Sequence, residues 1–370
     1  MKIPTREYSV KAFIDELMNV TLPSYQRLKV ACFMTSFSKW YDRQKMINLE
    51  DIFGRYGVRI QKLGEIRRLQ TKYFDSQIRK SKIAIFYCYL DPSSEMLICF
   101  TDEKMEAIEQ TLGQIAENSP GFYYTFISFA TFNKIKQIIL EYEPFAKCTY
   151  LSTKYVPQLT MKSQIRPNIE KRIIYYGDDG LETLEELRQY YGVYPTVMRY
   201  YIPNMGIYEI NCNGIFSLWA EEKMVASRRF LLHLCNVAIS EVLRSKKIIE
   251  TSSYKLIPVE TDRKIFKIPK IIPWIIKFSH EIEFIDSESL IEIMSDNNFS
   301  LFNEVREKGS IRLNGLVMDE KKQTIFSIDV DDRRIIVAPT ENLSFDSFMR
   351  FYKTILDNFD PNATCEEFRG

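Results

Sequence analysis

The amino-acid sequence predicts an α+β fold: a helical N-terminal region followed by units in which an antiparallel hairpin leads into a helix. Three segments carry that prediction. Lys82-Ile83-Ala84-Ile85-Phe86-Tyr87-Cys88-Tyr89-Leu90 and Glu95-Met96-Leu97-Ile98-Cys99-Phe100 flank the turn residues Asp91-Pro92-Ser93-Ser94 and feed a helix over 102–117. Strands over 208–212 and 215–219 flank Asn213-Gly214, a pair suited to a tight hairpin turn, and feed a helix over 221–246. Strands over 324–328 and 334–338 feed a third helix over 345–359, whose Phe345, Phe348, Phe351, Tyr352, Ile355 and Phe359 recur at helical spacing. The three copies share an order of elements but no obvious letters, so this is recurrence of architecture and not of sequence. Hairpins with helices packed on one side give the α+β class.

Upstream of the first hairpin the spacing predicts helices. Over 24–43, Leu28, Val30, Ala31, Phe33, Met34, Phe37 and Trp40 recur at three- and four-residue intervals. Asn48 is placed to cap a short helix over 49–56, with Asp51 three residues on and Gly57 to end it. A third helix, over 58–74, would turn Ile60, Leu63, Ile66 and Leu69 inward. Three helices and then a hairpin is the element order of a winged helix-turn-helix. Both strands of that hairpin are apolar on both faces, however, which suits a buried sheet better than an exposed wing. The expected organisation is 1–82 helical, with helix-turn-helix as the lesser of its readings, 83–160 α+β and 161–370 α+β, with a boundary at the polar, proline-containing stretch 158–167.

Composition bounds the class. The 370 residues suit two or three domains, and 45% apolar with 14% aromatic content can fill their cores. Seven cysteines without a CxxC pair argue against a disulfide framework or a zinc knuckle, and for a reduced, intracellular protein. The first residues lead into a charged, periodic segment and not into a signal peptide. The densest later apolar run, 268–278, is interrupted by Pro269, Lys270, Pro273 and Lys277. A membrane span needs about 20 apolar residues, so a soluble, cytoplasmic protein with no membrane partner is expected.

Motifs that could carry chemistry are incomplete. Tyr176-Gly177-Asp178-Asp179 copies four letters of the catalytic strand-turn motif of viral RNA-dependent RNA polymerases, but the further spaced aspartates and the Ser-Gly element of that family do not precede it. A turn leading into a helix with an acidic first turn explains the tetrad better. Asp329 and Asp331 follow a strand and alternate onto one face, where carboxylates could hold a divalent cation; Asp331-Asp332 before Arg333-Arg334 also read as a hairpin turn. The stretch 281–298 carries six acids and no Lys or Arg, and by default is a solvated face. There are only two histidines: His233, read as a buried or half-buried imidazole in an apolar helix, and His280. Neither GxxxxGK[ST] nor GxGxxG occurs, so no nucleotide cradle or cofactor is expected.

Charge is the remaining signal. The chain as a whole is +1, yet Arg55, Arg59, Lys62, Arg67, Arg68, Lys72, Arg79, Lys80 and Lys82 face only Glu65 and Asp75, a local excess of seven. Such asymmetry speaks to partners and not to fold. On a helix, Arg55, Arg59 and Lys62 would form a stripe able to follow phosphates, with Lys72 and Arg68 nearby, Arg67 a further expected contact, and Tyr56 and Tyr73 near enough to stack. The competing reading is that Glu103, Glu106 and Glu109 neutralise this charge within the fold. The expected function is a non-enzymatic nucleic-acid-binding or assembly module, its partner a nucleic acid or another protein. The alternative is a Mg²⁺-dependent phosphodiester or nucleotidyl-transfer enzyme built on Asp329 and Asp331.

Overall fold

The computed structural model describes residues 1–370 except 2, 24–25, 44–45, 157–164, 166–171, 261–264, 283–286, 308, 341–344 and 369–370. The boundary expected at 158–167 thus lies outside the described residues but for Ile165. The protein is α+β, with helices and large antiparallel sheets. Its chain divides into two compact units: Met1–Lys154 with Arg172–Leu187 and Pro195–Glu241, and Tyr155–Lys171 with Arg188–Tyr194 and Val242–Gly370.

The first unit is organised by an 11-stranded sheet. Its strands are β1 (Leu28–Thr35), β2 (Arg59–Leu63), β3 (Ile66–Asp75), β4 (Lys80–Asp91), β5 (Met96–Thr101), β6 (Phe122–Tyr124), β7 (Lys147–Tyr155), β8 (Ile174–Tyr176), β9 (Val193–Ile202), β10 (Gly206–Asn211) and β11 (Ile215–Trp219). They lie in the order β2-β3-β4-β5-β1-β11-β10-β9-β7-β8, and β6 also pairs with β1. Helix α1 (Val10–Asn19) is capped by Ser9, whose Oγ accepts from Ala12 N at 3.2 Å. It sets the Phe13 ring 6.0 Å from that of Tyr87 and 5.6 Å from that of Phe100. Its last carbonyls are satisfied from far along the chain: Arg228 Nη1 donates to Leu17 O and Val20 O at 2.6 and 2.7 Å, while Glu221 takes Nε and Nη2 of the same side chain.

Helix α2 (Leu49–Arg55) forms where the cap was read, with Asn48 N donating to Asp51 Oδ2 at 3.1 Å and Gly57 following at φ +70°. The other two N-terminal helices do not form: among the described residues of 1–82 the helices are Val10–Asn19 and Leu49–Arg55, the remainder of the regular structure is strand, and no helix-turn-helix is present. Residues 28–35 are instead β1, every one of them buried, hydrogen-bonded to β5 on one side and β11 on the other. A strand covered on both faces is a continuous apolar run, and such a run contains helical spacings by accident.

The segment read as a helix over 58–74 is the β2–β3 hairpin. Leu63 pairs with Ile66 and Ile60 with Leu69 across Gly64-Glu65. The three-residue spacing of these four residues is therefore mirror symmetry about a turn. Gly64 sits at φ +68°, and a Cβ there would lie 2.5 Å from Tyr8 O, so backbone conformation and close approach both require glycine.

The second unit is built on a six-stranded sheet in the order β15-β16-β17-β18-β14-β19, from β14 (Trp274–Lys277), β15 (Phe299–Arg306), β16 (Leu313–Asp319), β17 (Thr324–Val330), β18 (Arg334–Pro339) and β19 (Thr364–Glu367). A separate hairpin pairs β12 (Ser253–Glu260) with β13 (Ile265–Ile272). The helix Phe345–Asn358 is core, as its aromatic stripe predicts: Phe348 and Phe351 each stand 5.1 Å from Phe326, and Phe351 is fully buried. No helix among the described residues is long and apolar enough to cross a membrane.

Candidate nucleic-acid interface

Strand register divides five of the six basic residues singled out in the sequence, the sixth, Arg55, lying on α2. Arg59 stands opposite Gln70, and Gln61 opposite Arg68; on the other side of β3, Arg68 meets Tyr87, Gln70 meets Ile85 and Lys72 meets Ile83. Side chains alternate along a strand, so Arg59, Arg68 and Lys72 share one face with Phe74 and Ile83, whereas Lys62, Arg67 and Tyr73 share the other with Leu69 and Phe86. The single stripe expected on a helix does not exist.

The two groups differ in their partners. Lys62 and Arg67 approach Glu50 at 3.6 and 3.8 Å. Arg67 is further committed to the fold, donating to Gly64 O at 2.7 Å and lying 5.6 Å over the Trp40 ring; burial lowers its pKa, and Glu50 opposes that shift. Arg55 occupies the last turn of α2, where a cation favours the helix dipole. On the open face, Arg68 donates to Gln61 Oε1 at 3.2 Å, and among the described residues Arg59 and Lys72 meet no carboxylate.

The acids that could have cancelled this charge are turned elsewhere. Glu103 and Glu106 act on Tyr73, on the opposite face, and Glu106 accepts from Ser76 N. Asp75, fully buried, engages the far end of the basic segment. It binds Lys82 at 2.9 Å and Lys104 at 3.1 Å and accepts from Gln77 N, and the Lys82 hydrogen bond, ahead of Lys104 and Ile78 N, holds its pKa down at about 2 against the cost of burial.

A cavity of about 470 Å³ opens on the uncompensated face, lined by Tyr56, Gly57, Arg59, Gln70, Lys72 and Ile83 among others. Two of its lining side chains are large, apolar and exposed, Tyr56 at 39% and Ile83 at 60%, and Phe74, on the same strand face, is exposed at 49%. Tyr73, expected to stack, is buried, and the residue after it takes that place because adjacent strand residues point to opposite faces. Ile83 and Gln70 were not singled out in the sequence, since an isoleucine in an apolar strand and a lone glutamine carry no local signal.

The other candidates resolve as follows. Asp331 Oδ1 accepts from Arg333 N and Arg334 N, each at 2.9 Å, which makes it the turn residue between β17 and β18, while Asp329 is exposed within β17. Among the described residues no group of three or more His, Cys, Asp or Glu side chains comes together. In the tetrad, Asp178 pairs with Lys147 at 2.7 Å, Asp179 accepts from Tyr175 Oη, and the Asp179 carbonyl takes Thr183 N to open the helix Gly180–Tyr191.

His233 is exposed, not buried, and lines a second cavity of about 770 Å³ with Tyr142, Phe230, Arg229 and Glu141. One cation and one anion there leave no net charge to attract a polyanion.

Comparison with known proteins adds relatedness. The family model AF_0896_M, described as a family middle domain, matches residues 133–213, a segment that does not include the basic hairpins. An uncharacterized protein of Archaeoglobus fulgidus is 26% identical over 268 residues, 70% of this chain and 72% of that protein. No solved structure matches the chain.

Proposed function

We propose that the Arg59 face of β2–β4 binds nucleic acid, and that the protein is a non-enzymatic binding module. The observation that carries the reading is the segregation of charge by strand register: Arg59, Arg68 and Lys72 stand together on the open face, while Lys62, Arg67 and Lys82 are engaged by Glu50 and Asp75. Cross-strand diagonal neighbours lie about 7–8 Å apart, so Arg68, Arg59 and Lys72 form a zigzag of positive charge along the hairpin. Phosphate contacts of this kind give affinity and orientation without base specificity.

Titration of the full-length protein with a labelled oligonucleotide at several salt concentrations tests the reading. Three phosphate contacts give a slope of log K against log salt of about −2 to −3. Replacing Arg59, Arg68 and Lys72 by Ala should abolish binding, whereas Lys62→Ala with Arg67→Ala should leave it largely intact. Equal losses from the two sets, or no binding at low salt, would overturn it.

A further inference from the structure

Resting on the nucleic-acid reading above, we infer that the ligand is single-stranded, with one base lodged between Tyr56 and Ile83 and its flanking phosphates on Arg59 and Lys72. The slot exists because β2 begins at Arg59, opposite Gln70, so the edge of β3 away from β4 continues to Asp75 with no strand paired to it. The far end of that edge is closed by Gln110, whose side-chain amide accepts from Phe74 N at 2.9 Å and donates to Phe74 O at 3.0 Å, as a neighbouring strand would. Main-chain groups alternate in direction along a strand, so Lys72 presents its N–H and C=O to the gap between these two partners. Gly57 borders the gap without a side chain, and Tyr56, the last residue before it, forms a wall.

The chemistry of the walls selects the ligand. Two cations that meet no carboxylate among the described residues flank a gap whose apolar sides, Tyr56 and Ile83, are exposed in the free protein. A duplex keeps its base faces inside its own stack and offers this surface phosphates alone, leaving Tyr56 and Ile83 against charged backbone. An unpaired base has a free face to lay on Tyr56 and against Ile83 while its phosphates stay with Arg59 and Lys72. Stacking of this kind tolerates any base, so discrimination falls on strandedness before sequence.

Fluorescence anisotropy on the full chain, with a labelled 15-nucleotide single strand and the corresponding duplex at matched salt, separates the outcomes. The single strand should bind about tenfold or more tightly. Tyr56→Ala and Ile83→Ser, both at exposed positions, should each weaken single-strand binding several-fold without altering the salt slope or the duplex affinity, whereas Lys72→Ala should lower the slope by about one phosphate contact. Equal affinity for strand and duplex, or no effect of Tyr56→Ala and Ile83→Ser in variants that melt like the parent, would overturn the base slot while leaving phosphate binding in place. Failure of both probes to bind would overturn phosphate binding and the slot together.

Discussion

Arg350 and Asp319 form a two-point ion pair inside the second unit: Nε donates to Oδ2 at 2.9 Å and Nη2 to Oδ1 at 2.7 Å, and Asp319 has no exposed surface. The remaining valences are used as well. Asp319 accepts from Ser347 Oγ and from the N–H groups of Lys321 and Lys322, and Arg350 donates to the carbonyls of Asn297 and Asn298 while lying 4.1 Å over the Phe299 ring. The pair thus ties the helix Phe345–Asn358 to the β16–β17 turn and to the start of β15. Removing one member of such a pair strands a buried charge, so Arg350→Met should cost about 3–5 kcal/mol in urea unfolding. The double change Arg350→Met with Asp319→Asn should recover part of that loss; a double variant as unstable as the single one would mean that packing and not charge holds the site.

Lys29 carries the opposite kind of cost. It lies in β1, 6% exposed, and donates from Nζ to Glu103 O; burial, reinforced by Arg27, lowers its pKa to about 8 against the pull of Asp102, Glu209 and Glu103. The folded state binds less proton than the unfolded state between about pH 8 and 10.4, so this group makes stability rise with pH across that window and opposes folding below it. Lys29→Met should remove the rise, to the extent of a few kcal/mol. Parallel stability curves for wild type and variant from pH 7 to 10.5 would show no difference in slope if the amine were not under strain.

Asp75 gives the acid limb. Its pKa of about 2 lies below the unfolded value near 3.9, so its contribution is present above pH 4 and is lost as pH falls toward 2. Asp75→Asn should be less stable than wild type at pH 7 and show a shallower loss over that interval. Acid titrations followed by circular dichroism would refute this if the two proteins lost stability in parallel below pH 4.

Gly64 links the fold to the proposed surface. Alanine at φ +68°, with its Cβ 2.5 Å from Tyr8 O, should cost about 1–3 kcal/mol and loosen the hairpin that presents Arg59 and Arg68. Melting temperature and oligonucleotide affinity should therefore fall together in Gly64→Ala. A stable variant with weakened binding, or the reverse, would separate the turn from the surface.

Several elements were legible from local chemistry alone. The hairpin turn at Asn213-Gly214, the capped helix after Asn48 and the buried aromatic stripe of Phe345–Asn358 each repeat one period or one cap over a short window, and they form where read. The basic excess of 55–82 was equally plain. What the sequence could not display was the long-range pairing that gives β1 its neighbours. Seven apolar residues over 28–40 fit a helix until β5 and β11 claim both edges of 28–35.

The site shows the same division. Which charges exist is written in the chain, but which of them stand together depends on Gly64 turning β2 back along β3, because a strand sends neighbouring side chains to opposite faces where a helix would have gathered them on one. That step gave Arg67 and Lys62 to Glu50, buried Tyr73, and left Arg59, Arg68, Lys72, Phe74 and Ile83 on the open side. Local propensity and charge determined the inventory, and tertiary structure decided its arrangement, since 58–74 folds back as two strands within a sheet that β4, β5 and β1 continue, and strand stability draws on such neighbours more than on intrinsic preference.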